Sequence, residues 1–240
     1  MTLLSLFLTA AFAAAPDIPA AGPIDVLDIQ LSQAGYTVAG RGDVYEVPYV
    51  EIRMPVGFTI TSFCRKLPMM RDRFELCRSR LSSFNMIEPN YEKTATSSEP
   101  WAILADKLKI PLDLEKEPRV FPESDPAVAG HAQFILIDIA KGYLGLYERG
   151  TLVRTFPVSA GAGGHQTPRV AFTVDKKDAN HYSSIYGSWM PWAIHVSGAY
   201  WMHGGVLPGV ADSHGCIRMM IPDAKELFGL VNVGARGRIR

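Results

Sequence analysis

The chain of 240 residues is long enough for one large domain or two modest ones. Hydrophobic residues make up 48% and charged residues 20%, an ordinary globular composition that excludes disordered and collagen-like classes. Lys and Arg number 24, as do Asp and Glu, so the formal net charge is zero. A general nucleic-acid-binding protein needs a basic surface, and this balance argues against that class.

The neutral total is the sum of two oppositely charged halves. Residues 1–130 carry 13 Lys and Arg against 17 Asp and Glu, a net charge of −4, and residues 131–240 carry 11 against 7, a net charge of +4. All six histidines lie in the second half. A positive half suits an anionic substrate, and the opposite charges favour docking of the two halves, an effect that salt weakens.

The N-terminal residues have the pattern of an export signal. Residues 3–15 are almost entirely Leu, Phe and Ala, a stretch too short to span a bilayer comfortably. They contain an Ala-x-Ala cleavage pattern at 11–13 and end at Pro16, although no Lys or Arg precedes them. The sequence predicts a signal peptide over residues 1–15, a linker over 16–25 and export to the periplasm or cell envelope. No stable membrane insertion is expected after cleavage; an apolar N-terminal helix is the alternative.

Residues 26–115 have the mixed pattern of a small α+β accessory domain. The expected elements are a strand at 44–52, a helix through Phe74, Cys77, Leu81 and Phe84 with Asp72 as its N-cap, a loop at 94–99, and a short helix at 101–109 ended by Pro111.

The three cysteines are Cys64, Cys77 and Cys216. In an oxidising compartment, a disulfide between Cys64 and Cys77 would leave Cys216 as a single thiol. Two buried free thiols at Cys64 and Cys77 are the alternative.

Residues 116–130 are rich in Pro and acidic residues and are predicted to be a linker between domains. The remaining residues, 131–240, predict a mainly β domain, because short strands alternate with turns as in sandwiches and barrels. Strands are expected at 134–139, 143–147, 152–158, 171–175, 192–197, 200–203 and 235–239, and one helix at 222–230.

The segment Ser213-His214-Gly215-Cys216-Ile217-Arg218 has the composition of a nucleophile site. A cysteine nucleophile reacts as a thiolate and needs a nearby base, and the preceding glycine allows backbone N–H groups to converge into an oxyanion hole. In an extended segment, Arg218 would share a face with Cys216 and could bind a carboxylate.

Two histidines, His203 and His214, are candidates for the base, and spacing alone does not decide between them. Two other interpretations compete. His195, His203, His214 and Cys216 could bind zinc, although the spacing lacks the usual zinc motifs. Alternatively, Cys216 could be a buried, inert thiol.

Residues 132–240 resemble the catalytic domain of the L,D-transpeptidases, the YkuD family of peptidoglycan cross-linking enzymes. The matching segments are FILIDI at 134–139, LGLY at 144–147, FPVSAG at 156–161, TP at 167–168, MP at 190–191, MHG at 202–204, SHGCIR at 213–218, DAKELF at 223–228 and VG at 233–234. The resemblance implies an L,D-transpeptidase-like β-sandwich with one or two short helices.

The resemblance also implies roles for individual residues. Cys216 would be the nucleophile and His203 the general base, with the Gly204 carbonyl orienting the imidazole. Backbone N–H groups of His214, Gly215 and Cys216 would form the oxyanion hole, and Arg218 and Ser213 would bind substrate. No metal and no organic cofactor is implied.

Three parts of the chain fit the resemblance less well. Arg169 and Val170 replace the usual pattern after Thr167-Pro168, and the stretch between His203 and Ser213 is shorter than in many members. His195 matches no catalytic position; a structural role is expected for it, and lining of the substrate cleft is the alternative. In the first half, the order of elements resembles that of a degenerate LysM peptidoglycan-binding module, through the segments RMPVGFTI at 53–60, FNMIEPN at 84–90 and KLKIP at 107–111. An unrelated accessory domain is the alternative.

The implied activity is acyl transfer on peptidoglycan tetrapeptide stems through a thioester at Cys216, which forms 3–3 cross-links. Water as the acceptor would make the chain an L,D-carboxypeptidase, and an amine on a protein would make it an anchoring enzyme. A non-catalytic wall-binding scaffold is a further alternative.

Overall fold

The computed structural model of the chain describes residues 22–95 and 102–240. The predicted signal peptide, most of the linker that follows it, and part of the loop predicted at 94–99 lie outside the described residues. Within the described residues, no helix is long and apolar enough to cross a bilayer.

The first half of the chain forms a small α+β region around its own hydrophobic core. Its elements are α1 (Pro23–Gln33), β1 (Val38–Val44), β2 (Val47–Arg53), α2 (Ile60–Lys66), α3 (Pro68–Arg71), α4 (Phe74–Asn85) and β3 (Lys107–Pro111). The three strands make one antiparallel sheet in the order β1-β2-β3. The core residues Ile52, Phe63 and Leu81 are fully buried, so a strand and two helices share one apolar interior.

Of three expectations for this region, one is confirmed with a shifted start and two are wrong. The strand predicted at 44–52 is confirmed as Val47–Arg53, the second arm of a hairpin, and it starts later because the hairpin turn places Tyr45 and Glu46 at positive φ. Such a turn usually carries Asn and Gly, so these two residues carry no turn signal. The helix predicted at 101–109 is absent from its described residues; Lys107–Pro111 instead pairs with β2, because sheet pairing outweighs local propensity.

The third concerns Asp72, which is not the N-cap of α4. Arg73 holds that position without a side-chain capping bond, because Asp72 ends the short helix α3 just before it. The predicted helix itself is confirmed as Phe74–Asn85.

A disulfide joins Cys64 on α2 to Cys77 on α4, with both cysteines fully buried and their Cα atoms 6.0 Å apart. The bond fixes the two helices that cover the small sheet. We expect the double variant Cys64→Ala/Cys77→Ala to lose about 3 kcal/mol of unfolding free energy, since that is the usual effect of closing a loop of about 15 residues. Urea unfolding of the full chain measures this loss, and an unchanged midpoint would contradict it.

The second half is mainly β, as the sequence predicts. Its elements are β4 (Gln133–Asp138), β5 (Tyr143–Glu148), β6 (Thr151–Pro157), β7 (Ala171–Thr173), β8 (Lys177–Ser183), β9 (Ser188–Ser197), β10 (Tyr200–Gly204), β11 (Ile217–Met219), α5 (Ile221–Leu230) and β12 (Arg236–Ile239). One sheet has the order β6-β5-β4-β12-β7 and the other the order β11-β10-β9-β8. The sequence missed β8, whose residues do not alternate, and β11, which has only three residues.

The core of this half determines which side chains of β10 and β11 point away from it. Met202, Ile217 and Met219 are buried in the core that the two sheets share. Because side chains alternate along a strand, His203 and Arg218 lie on the opposite face of the same sheet. The parallel pairing of β10 with β11 places His203 directly beside Arg218.

Residues 116–130 are packed against the second half. Val120, Phe121 and Val128 are buried together with Leu136 and Tyr147 of the larger sheet. The segment contains one 3-10 turn, at Pro126–Val128. These contacts hold it close along the sheet surface.

Candidate active site

Cys216 immediately precedes β11 and is buried, with 7% of its surface exposed. It lies in a small cluster with Met190, Ala193 and Trp201. Burial raises the pKa of the Cys216 thiol, while a backbone hydrogen bond with Trp201 and the Arg218 charge oppose that rise with smaller effects. The resting residue is therefore a neutral thiol, and its Sγ lies 3.9 Å from the Ala199 carbonyl oxygen.

His203 lies near the end of the neighbouring strand, β10, and is 8% exposed. Its Nδ1 is 2.9 Å from the Gly204 carbonyl oxygen. A carbonyl can only accept, so Nδ1 carries the proton and Nε2 is left as the basic nitrogen. Burial lowers the pKa of His203 to about 4, with smaller effects from the Gly204 hydrogen bond, which raises it, and from Arg218 and His181, which lower it.

The backbone before the thiol is held by Ser213 and Thr167. Ser213 Oγ donates to the Cys216 carbonyl oxygen at 2.5 Å and accepts from the Gly215 amide at 3.0 Å. Thr167 Oγ1 donates to the Gly215 carbonyl oxygen at 2.8 Å and accepts from the Gly161 amide at 2.9 Å. The amide and the carbonyl of Gly215 are therefore each held by a side-chain hydroxyl.

Gly215 itself is required by its backbone conformation. Its φ is +112°, in the region that glycine favours, and a Cβ there would lie 2.6 Å from a carbon of the Tyr200 ring. Any other side chain at this position would strain the backbone of the turn that leads into Cys216 and would displace the Tyr200 ring.

The side chain of His214 is exposed, unlike that of His203. Its ring lies 4.8 Å from the His165 ring and 5.2 Å from the Tyr186 ring, measured between centroids. The Tyr186 hydroxyl donates to the His214 carbonyl oxygen at 3.3 Å. His214 therefore belongs to an aromatic rim beside the buried thiol.

Arg218 lies next to His203 and forms an ion pair that a ligand can replace. Its Nη1 is 3.4 Å from Asp212 Oδ2, in a partly exposed ion pair. The main chain of Arg218 exchanges two hydrogen bonds of 2.9 Å with Ser159. Exposed ion pairs are weak, so a carboxylate from a ligand can compete for the guanidinium.

His195 has the structural role that the sequence predicts, through partners that the sequence did not identify. Its Nδ1 lies 2.6 Å from Asp175 Oδ1 and its Nε2 lies 2.9 Å from the Gly198 carbonyl oxygen. The ring therefore stabilises the turn at Gly198. The next residue, Ala199, directs its carbonyl toward the Cys216 sulfur. Asp175 is 20 residues away in sequence, and no local pattern connects the two.

We expect His195→Ala to change the rate at which iodoacetamide alkylates Cys216 by about tenfold, since each lost hydrogen bond is worth about 1 kcal/mol. The matched control is His131→Ala, which removes a histidine stacked on Phe134. Equal alkylation rates in the two variants would show that the His195 ring does not act on the thiol.

The residues proposed for zinc do not come together as a metal site. In the described parts of the chain, no group of three or more His, Cys, Asp and Glu side chains could hold a metal ion. His195 uses both ring nitrogens on Asp175 and Gly198, and His203 uses Nδ1 on Gly204.

Comparison with known proteins finds a family match in the second half of the chain. The family model for the L,D-transpeptidase catalytic domain, YkuD, matches residues 132–239. A Bacillus licheniformis protein that carries the name L,D-transpeptidase YkuD is 34% identical over 93 residues. That match covers 39% of this chain and 56% of the Bacillus protein.

Three of the similar solved structures carry the name L,D-transpeptidase. The structure from Stackebrandtia nassauensis is 19% identical, with a TM-score of 0.45, over 53% of this chain and 62% of that one. The structure from Xylanimonas cellulosilytica is 26% identical, with a TM-score of 0.45, over 54% and 67%. The structure from Mycobacterium smegmatis is 18% identical, with a TM-score of 0.42, over 85% and 99%. The family model and the Bacillus protein thus relate residues 132–239, a little under half of the chain, to the YkuD family of L,D-transpeptidase catalytic domains.

Proposed function

We propose that the chain is a cysteine-dependent L,D-transpeptidase that acts on the tetrapeptide stems of peptidoglycan. The observation that carries the proposal is the placement of Cys216 immediately before β11 and of His203 on β10, the strand that pairs with β11 in parallel, with the imidazole held at Nδ1 by the Gly204 carbonyl. The match of residues 132–239 to the family model supports this substrate class. The charge of +4 over residues 131–240 suits stems that end in carboxylates.

In the first step, the Cys216 sulfur attacks the carbonyl carbon of the L-centre residue at position three of the stem. The thiol proton passes to Nε2 of His203, a neutral base because burial lowers its pKa to about 4. The C–N bond to the terminal D-residue breaks, and that residue leaves as an amine after taking the proton from His203. A thioester to Cys216 remains.

In the second step, a side-chain amine of a neighbouring stem attacks the thioester carbonyl. His203 accepts a proton from the amine and returns it to the departing sulfur. The new amide is a 3–3 cross-link, and the neutral thiol and imidazole are restored. No metal or organic cofactor enters this scheme.

Backbone amides next to the nucleophile would hold the oxyanion in both steps. The Gly215 amide already donates to Ser213 Oγ, so we assign the main part to the His214 and Cys216 amides. Arg218 would bind a stem carboxylate in place of Asp212. Ser213 would act by fixing this backbone rather than through a strong contact of its own, since its hydroxyl is engaged on Cys216 and Gly215.

We also propose that the chain is exported to the periplasm or cell envelope. The Cys64–Cys77 disulfide supports this, because disulfides persist mainly in oxidising compartments.

We further propose that the first half is a LysM-like wall-binding module. The order of its elements supports this, since β2 is followed by three helices and then by β3, which pairs with β2 in antiparallel.

Product analysis tests the activity and identifies the acceptor. The full chain is incubated with purified disaccharide tetrapeptides, and the products are separated by mass. The proposal predicts dimers joined between the third residues of two stems, with release of the terminal D-residue. Tripeptide monomers alone would indicate an L,D-carboxypeptidase, stems attached to an added protein would indicate anchoring, and unchanged tetrapeptide would support the scaffold alternative.

A further inference from the structure

The loop that joins the two reactive residues is bound by the first half of the chain. We call residues 205–212, between β10 and Ser213, the connecting loop. The Glu88 amide donates to Leu207 O at 2.9 Å, and the Gly209 amide donates to Met86 O at 2.7 Å. These two bonds flank an antiparallel bridge between Ile87 and Pro208. The first half of the chain thereby adds a short strand-like segment to the connecting loop.

A second segment of the first half closes on the same point. The amides of Leu104 and Ala105 both donate to Pro208 O, at 2.9 and 3.3 Å. We call residues 86–88 together with 104–105 the clamp. Backbone hydrogen bonds from two separate segments fix the loop in position as well as in direction.

The contact between clamp and loop is closely packed. Ile87 and Leu207 are fully buried. Gly209 has a φ of +90°, and a Cβ on it would lie 2.7 Å from Ala105 Cβ and 2.9 Å from Ile87 Cγ1. The loop therefore has no room for even one methyl group at this position without displacement.

The other end of the connecting loop reaches the thiol through hydrogen bonds. Ser159 Oγ donates to Val210 O at 2.9 Å and accepts from the Asp212 amide at 3.2 Å. Asp212 pairs with Arg218, and the next residue, Ser213, holds the backbone around Cys216. A shift of the loop at Gly209 would therefore be passed on to the groups beside the nucleophile.

We propose that the clamp is a positioning element of the active site, so that the first half of the chain contributes directly to the reaction rate. The inference rests on the proposed transpeptidase function. Its physical basis is the entropy of an eight-residue loop, which would sample many conformations if residues 86–88 and 104–105 did not order it. Displacement of reacting groups by about 1 Å can cost about 100-fold in rate.

The variant Gly209→Ala tests the clamp, with Gly234→Ala as its control. Gly234 has a similar φ of +96°, but a Cβ there would meet nothing within 4 Å. Both variants therefore carry similar backbone strain, and only Gly209→Ala disturbs the contact between the clamp and the connecting loop. We expect kcat for stem transfer to fall about tenfold or more in Gly209→Ala relative to the control, with a smaller change in KM. We also expect its pH profile for Cys216 alkylation to differ from that of the control.

A second substitution tests whether the effect comes from the contact itself. Ala105→Gly removes the nearest atom that the new methyl group would meet, so the double variant Gly209→Ala/Ala105→Gly should regain part of the lost rate. If Gly209→Ala does not fold, Ala105→Val adds bulk from the other side of the same contact and should lower kcat in the same way.

Wild-type-like kcat and alkylation profiles in Gly209→Ala or Ala105→Val would overturn the clamp. The alkylation measurement needs no substrate, so it separates this inference from the proposed function. A chain that lacks transpeptidation but whose alkylation profile changes in Gly209→Ala would reject the function alone.

Discussion

Replacing Cys216 by alanine is expected to abolish stem transfer, with kcat/KM lower by at least about 1000-fold, because no other nucleophile replaces the sulfur. Cys216 is the free cysteine of the chain, since Cys64 and Cys77 are joined to each other. The measurement is the rate of release of the terminal D-residue from purified tetrapeptide. The substitution removes a small side chain from a buried cluster, so the protein should remain folded.

The conservative variant Cys216→Ser separates chemistry from packing. Serine preserves the size of the side chain, but its hydroxyl is far less acidic than a thiol, and a histidine with a pKa of about 4 is a weak base for it. We expect Cys216→Ser to be as inactive as Cys216→Ala while unfolding at the same urea concentration as the wild type. Substantial activity in either variant would reject Cys216 as the nucleophile.

The second large effect is expected at His203. His203→Gln removes the base while leaving an amide that can still donate to the Gly204 carbonyl oxygen. We expect kcat to fall by about 100-fold to 10,000-fold, the usual contribution of a positioned general base. The control His214→Gln changes the exposed histidine of the aromatic rim, and it should retain most of the activity.

The pH dependence of the wild-type rate should report the same residue. Because burial lowers the pKa of His203 to about 4, the imidazole stays neutral until the pH falls to that value. We therefore expect kcat/KM not to fall through protonation of His203 until about pH 4. An acid limb near pH 6.5, the value of an unperturbed histidine, would contradict the buried base.

The same shift links His203 to stability. The unfolded chain binds a proton at His203 below about pH 6.5, whereas the folded chain does so only near pH 4. Between these values the folded state should lose about 1.4 kcal/mol of unfolding free energy per pH unit through this group. Urea unfolding of wild type and His203→Gln over this range should therefore give curves that converge as the pH falls. Parallel curves would mean that His203 is not buried in its neutral form.

The sequence predicted those parts of the fold that depend on local pattern. The strands β4, β5 and β6 alternate or carry clear turn residues, and the helix α5 has a proline in its first turn, so each is expected close to where it lies. The failures have tertiary causes. Residues 107–111 form a strand only because β2 lies beside them, and β8 is a polar strand that is specified by its pairing with β9.

For the site, the sequence identified the residue types, and the fold supplied their chemical state. The composition of segment 213–218 indicates a nucleophile, and the resemblance to the YkuD family favours His203 over His214 as its base. The direction of each pKa shift has no signal in the sequence, since it follows from burial in the folded chain. The contact of Asp175 with His195 and the clamp at Gly209 also join residues that are distant in sequence.

The covalent intermediate is the central claim, and intact-protein mass spectrometry tests it most directly. The full chain is mixed with a tetrapeptide stem that lacks an acceptor amine, quenched in acid and weighed, and the adduct is located by peptide mapping. We expect an added mass equal to the mass of the stem minus that of the released free D-amino acid, attached at Cys216 and absent in Cys216→Ala. Release of the D-residue with no adduct, or with an adduct on another residue, would contradict it.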